Sequence, residues 1–111
     1  MEINGKNISF AYTMRAYRDL SEICENGDIS KLIPAITGKY GNSIENTCKF
    51  ISALVNAAAH RDGTDTMTPD EILDLDADVF GAMSDVAVET FVAAQKRKVQ
   101  ATAKKKATAK A

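Results

Sequence analysis

Between Ser43 and Arg61 the apolar residues Ile44, Cys48, Ile51, Leu54, Val55 and Ala58 recur at steps of three and four, and no other stretch constrains the fold so tightly. A stripe of that period is one face of an α-helix about five turns long. Such a helix is stable only when other elements cover it. The chain has 111 residues, enough for one domain with one modest core. Its 45% hydrophobic residues include only 6% aromatics and no tryptophan, so the covering elements are built from Ile, Leu, Val, Met and Ala. That palette suits more helices, and the chain reads as a small, mainly α domain.

The chain opens differently. Asn4-Gly5 is a strong hairpin signal, since both residues tolerate the positive φ of a type I′ turn. Beyond it Ile8, Phe10 and Tyr12 alternate with Asn7, Ser9 and Ala11, the period of a strand with one buried face. Only Met1, Glu2 and Ile3 are left to pair before the turn, so the short β-hairpin must lean on helices.

Thr13 is placed to cap a first helix carrying Met14, Tyr17, Leu20, Ile23 and Cys24, with Asn26-Gly27 as its stop. Asp28 can cap a second helix with Ile29, Leu32, Ile33 and Ile36, which Pro34 should kink or divide. Gly38 to Asn42 reads as a loop, and the long helix ends at Arg61-Asp62-Gly63. Thr68-Pro69-Asp70-Glu71 combines a capping box with proline at the first helical position. Asp74, Asp76 and Asp78 predict a break near Asp76. A last helical face then runs through Val79, Phe80, Met83, Val86, Ala87, Thr90, Phe91 and Ala94.

Charge divides the chain. Residues 1–95 hold seven basic side chains against all fifteen acidic ones, a net of −8, while residues 96–111 hold seven cations and no acid. Residues 1–98 therefore read as the helical domain and 99–111 as a flexible basic Ala/Lys-rich tail able to form transient helix. Cys24 and Cys48 lack a CxxC spacing and no leader-like stretch precedes them, which predicts buried thiols in a reducing cytosol. No segment approaches the roughly 20 apolar residues needed to cross a bilayer.

Signs of catalysis are few. His60 is the single histidine, and no glycine-rich phosphate loop, GxSxG or HExxH pattern occurs. Asp74-Leu75-Asp76-Ala77-Asp78 has the alternation of a calcium loop, but Val79 replaces the required glycine and the short Asp85 stands where a bidentate glutamate closes such loops. A solvated helix start explains these acids better. The sequence supports neither an enzyme nor a metal or cofactor site. Met14, Tyr17, Met83 and Phe91 are either core or a groove for a partner helix, and a domain this small needs them as core.

These parts in this order resemble the tail assembly chaperones of long-tailed bacteriophages. The likeness is carried by the strand pair around Asn4-Gly5, by "FAYTMRAYRDLSEI" passing from strand into the first helix, and by several small helices. "MTPDEILDLDADVF" is similar to that family's late T-x-E-E-type helix start. The likeness covers nearly all of residues 1–98 and rests on arrangement more than on invariant residues. It implies a protein that binds and solubilises the tape measure protein and helps recruit tail tube protein in the host cytoplasm, and that is absent from the mature virion. It further implies a frameshift-extended form of the same chain. The codons of Lys104, Lys105 and Lys106 are where a slippery adenine run would lie. The alternative is a small DNA-associated protein with a basic C-terminal arm, although the −8 body would repel a phosphate backbone. A helical interaction module forming homo-oligomers is a third reading.

Overall fold

The computed structural model describes residues 1–36 and 43–110, with side chains as far as Lys96 except that of Glu25. Two strands, β1 (Glu2–Ile3) and β2 (Lys6–Asn7), pair antiparallel with Glu2 opposite Asn7 and Ile3 opposite Lys6. The turn residues Asn4 and Gly5 both have positive φ, at 50° and 81°. Glycine is strain-free there, as the dipeptide predicts. Five α-helices follow among the described residues: α1 (Met14–Ser21), α2 (Leu32–Ile36), α3 (Ser43–Asp62), α4 (Pro69–Leu73) and α5 (Ala77–Lys110). The fold is thus mainly α with a short N-terminal hairpin. The expected loop from Gly38 to Asn42 lies outside the described residues.

Local chemistry sets most boundaries. The Thr13 hydroxyl accepts from the Ala16 N–H at the start of α1. Asp28 takes the Ser30 N–H, opening a single 3-10 turn at Ile29–Lys31 that leads into α2, so the second helix does come in two pieces. Pro34 then falls in the first turn of α2, where its missing N–H breaks no helical bond. Gly63, at φ 78°, ends α3 by donating its N–H to Ala59. The full capping box forms at α4, with Thr68 Oγ1 accepting from Glu71 N and Glu71 Oε1 accepting from Thr68 N, both at 3.1 Å. The chain leaves helix after Leu73 and re-enters it at Ala77, which places the break at the aspartates.

Helix α3 is the hub, packed against α1, α2, α4 and α5. Every residue from Phe50 to Val55 is buried, so α3 is covered nearly all round instead of along one stripe. Leu20 of α1, Leu32 of α2, Ile72 of α4 and Met83 and Ala87 of α5 are fully buried around it. Phe91 meets the rings of Tyr12 and Phe50 edge-on, at centroid distances of 5.3 and 6.1 Å. Helix α5 has 34 residues. At 1.5 Å per residue it runs about 51 Å, nearly the 53 Å longest dimension of the molecule.

The strand expected from Ile8 to Tyr12 is not regular strand. Ala11 is buried and donates its N–H to the Leu54 carbonyl 3.1 Å away, while Phe10 and Tyr12 are half-buried. Contact with the side of α3, not pairing in a sheet, sets which residues of this segment turn inward. Three positions of the expected helical faces, Met14, Ile33 and Ile44, also fall outside the core. Met14 is 76% exposed and Ile44 61% exposed, because each starts its helix ahead of the covering elements.

Candidate partner-binding surface

On one face of the described residues three helices meet without closing over one another. The first turns of α3 and the short α4 enclose a hollow of about 140 Å³ lined by Glu45, Cys48, Lys49, Pro69, Asp70 and Leu73. Adjoining it, a second hollow between α1 and α3 is walled by Asp19, Glu22, Ile23 and Asn56. Lys49 and Pro69 line both, so the two form one open trough across α3. The smaller hollow falls below the roughly 300 Å³ of a usual small-molecule pocket, and the larger is open and polar-walled. A trough of this shape fits the side of a polypeptide segment better than a compact ligand.

Its floor is apolar and its rim acidic. Ile23, Cys48, Ala53, Pro69 and Leu73 supply apolar surface, and Leu73 is 53% exposed. Ile44 lies one turn before Cys48 on the same side of α3 and extends that surface. Of the four rim carboxylates, Asp19 is engaged by Arg18 at 3.0 Å, while Glu22, Glu45 and Asp70 form no ion pair among the described residues. Lys49 is the single cation among the lining residues.

Position of the trough depends on how α4 is held. Met67, buried just before α4, gives its carbonyl to the Ser52 hydroxyl at 2.7 Å and its N–H to Asn56 Oδ1 at 3.2 Å. Ser52 and Asn56 are four apart on α3 and bond to each other, so one helical face clamps both polar groups of Met67. From the other side Lys6 donates to the Thr66 carbonyl and to Glu71, and Asn7 exchanges bonds with Asp65: its N–H with the carboxylate, its carbonyl with the Asp65 N–H. The hairpin is therefore a clasp on the α3–α4 connection. Neither clamp nor clasp has a local sequence signature, since their partners stand 11 to 65 residues apart.

The residues weighed from sequence divide clearly. Met83 and Phe91 are core, Tyr17 is half-buried and Met14 is on the surface. His60 is exposed, and its Nε2 accepts from Arg15 at 3.2 Å. Cys24 and Cys48 are buried free thiols. Burial pushes the Cys48 thiol up, and Asp70 and Glu45 push it further, which keeps it protonated and a poor nucleophile. Burial likewise raises Cys24, with Asp28 adding to it. Among the described residues no three His, Cys, Asp or Glu side chains are grouped to hold a metal ion. No described helix is long and apolar enough to cross a membrane. Lys104, Lys105 and Lys106 lie on the backbone of α5.

Comparison with known proteins finds no matching family model, no matching curated protein and no matching solved structure.

Proposed function

We propose that this chain is the tail assembly chaperone of a long-tailed bacteriophage, the short product of a gene read in a second frame by a minority of ribosomes. It binds the tape measure protein, keeps its long apolar helices soluble and helps bring tail tube subunits to them. A frameshift-extended form of the chain shares the work, in the host cytoplasm, and neither form stays in the finished virion. The order of parts carries this reading: the hairpin, the passage "FAYTMRAYRDLSEI" into α1, the late capping-box helix and the lysine run. Uncovered apolar side chains at Ile44 and Leu73 are in keeping with a protein that works by binding.

The nucleotide sequence across codons 104–106 is the first test. A slippery adenine run feeding an overlapping open frame, upstream of a long helical gene, is the expected result. Mixed lysine codons with no overlapping frame would remove the basis for two products. Co-expression with the downstream tape measure protein should then yield a soluble complex, and a tape measure protein that stays insoluble would overturn the chaperone role. The DNA-associated alternative rests on the seven cations of residues 96–111. It requires binding to duplex DNA that weakens steeply with salt.

A further inference from the structure

We propose that the trough between α1, α3 and α4 receives residues 96–110 of a second copy of this chain. The contact concerns how the protein meets itself and does not depend on a tape measure protein being its client.

Charge complementarity chooses the occupant. The rim of the trough presents Glu22, Glu45 and Asp70 without ion-pair partners among the described residues, against one cation, Lys49. Residues 96–110, "KRKVQATAKKKATAK", carry seven cations and no acid. No other stretch of the chain has that balance, since every acid lies in residues 1–95.

Shape agrees with charge. The backbone is helical to Lys110, and α5 spans nearly the full length of the molecule. Val99, Ala103 and Ala107 recur at four-residue steps, so they share one side of α5 as a narrow row of small residues. A helix side of that kind can approach a shallow apolar floor closely. Lys96 precedes that row in sequence and Lys104, Lys105 and Lys106 fall within it, so cations flank and interrupt the small residues. A stiff helix cannot fold back onto its own α1–α3–α4 face, so the contact joins two molecules. Each copy then offers one basic helix and one acidic trough.

The test uses the full chain. Sedimentation velocity at low salt, about 50 mM, should show concentration-dependent self-association that weakens at least tenfold at about 500 mM. Two variants probe the two halves: Glu22→Lys with Glu45→Lys in the trough, and Lys104→Glu, Lys105→Glu with Lys106→Glu in α5. Unchanged thermal unfolding of each variant confirms that it folds. Each variant alone should be monomeric at low salt, and an equal mixture of the two should associate again, because the unchanged α5 of one then meets the unchanged trough of the other and the reversed pair matches as well. A wild-type chain that stays monomeric at low salt overturns the proposal. So does self-association that survives both variants, or a wild-type monomer whose α5 cations bind duplex DNA instead.

Discussion

The Lys6 ammonium donates to Glu71 Oε2 at 2.6 Å across 65 residues of sequence, and the same carboxylate accepts the Thr68 N–H that opens α4. One side chain thus joins the N-terminal hairpin to the helix that forms a wall of the trough. Both partners are roughly two-fifths exposed, so the pair fixes geometry more than it adds stability.

That pair gives a pH signature. The Lys6 ammonium, and then the Thr68 N–H, hold the Glu71 carboxyl below the ordinary glutamate range. A carboxyl with a depressed folded pKa adds stability above its unfolded value, about 4.3, and loses it as pH falls through the folded value. Glu71→Gln keeps a capping side chain but not the charge. Its thermal midpoint should lie below wild type at neutral pH, and the gap should close as pH falls through the carboxylate range. Parallel midpoint curves down to about pH 2 would show that the pair contributes nothing.

The capping box itself is tested by Thr68→Ala. Loss of the hydroxyl frees the Glu71 N–H at the start of a five-residue helix. The expected cost is about 1 kcal/mol, read as a lower urea midpoint at unchanged slope.

Clamping of Met67 predicts a larger effect at a position with no unusual sequence. Asn56→Ala leaves the Met67 N–H without its acceptor in a partly buried place. About 1–3 kcal/mol should be lost, and amide exchange should quicken at residues 66–68 before it does so in α3.

Two methionines separate core from surface. Met83 is fully buried, and Met83→Ala should cost about 2–5 kcal/mol. Met14 is 76% exposed, and Met14→Ala should stay within about 0.5 kcal/mol of wild type. Equal effects in urea denaturation would contradict the placement of α1.

The elements that local chemistry dictates were legible from the residues: the Asn4-Gly5 turn, the two-piece second helix at Asp28, the Gly63 stop, the capping box at Thr68 and the break at the aspartates. Burial was legible only in part. Periodicity marked Leu20, Ile51 and Met83 as inward but also Met14 and Ile44, because a helical period says which residues share a face and not where the covering elements end. Phe50 and Ala53 went unmarked because α3 is enclosed on several sides, so no single stripe describes it. Ala11 replaced its aromatic neighbours as the buried residue because its backbone bonds to Leu54, 43 positions away. The trough was not legible at all. It exists where three helices far apart in sequence fail to close over one another, and only the charge imbalance between its rim and residues 96–110 is written in the chain itself.

Enclosure of α3 has a consequence during synthesis. Once Asp62 has left the ribosome, a helix with apolar surface on nearly every side exists without the α5 residues that complete its cover, Met83, Ala87 and Phe91. At about 5–20 residues per second that surface stays bare for roughly 1.5–6 s. The side chains that complete the cover of α3 thus follow it in the chain, and until they emerge that surface is open to other nascent chains.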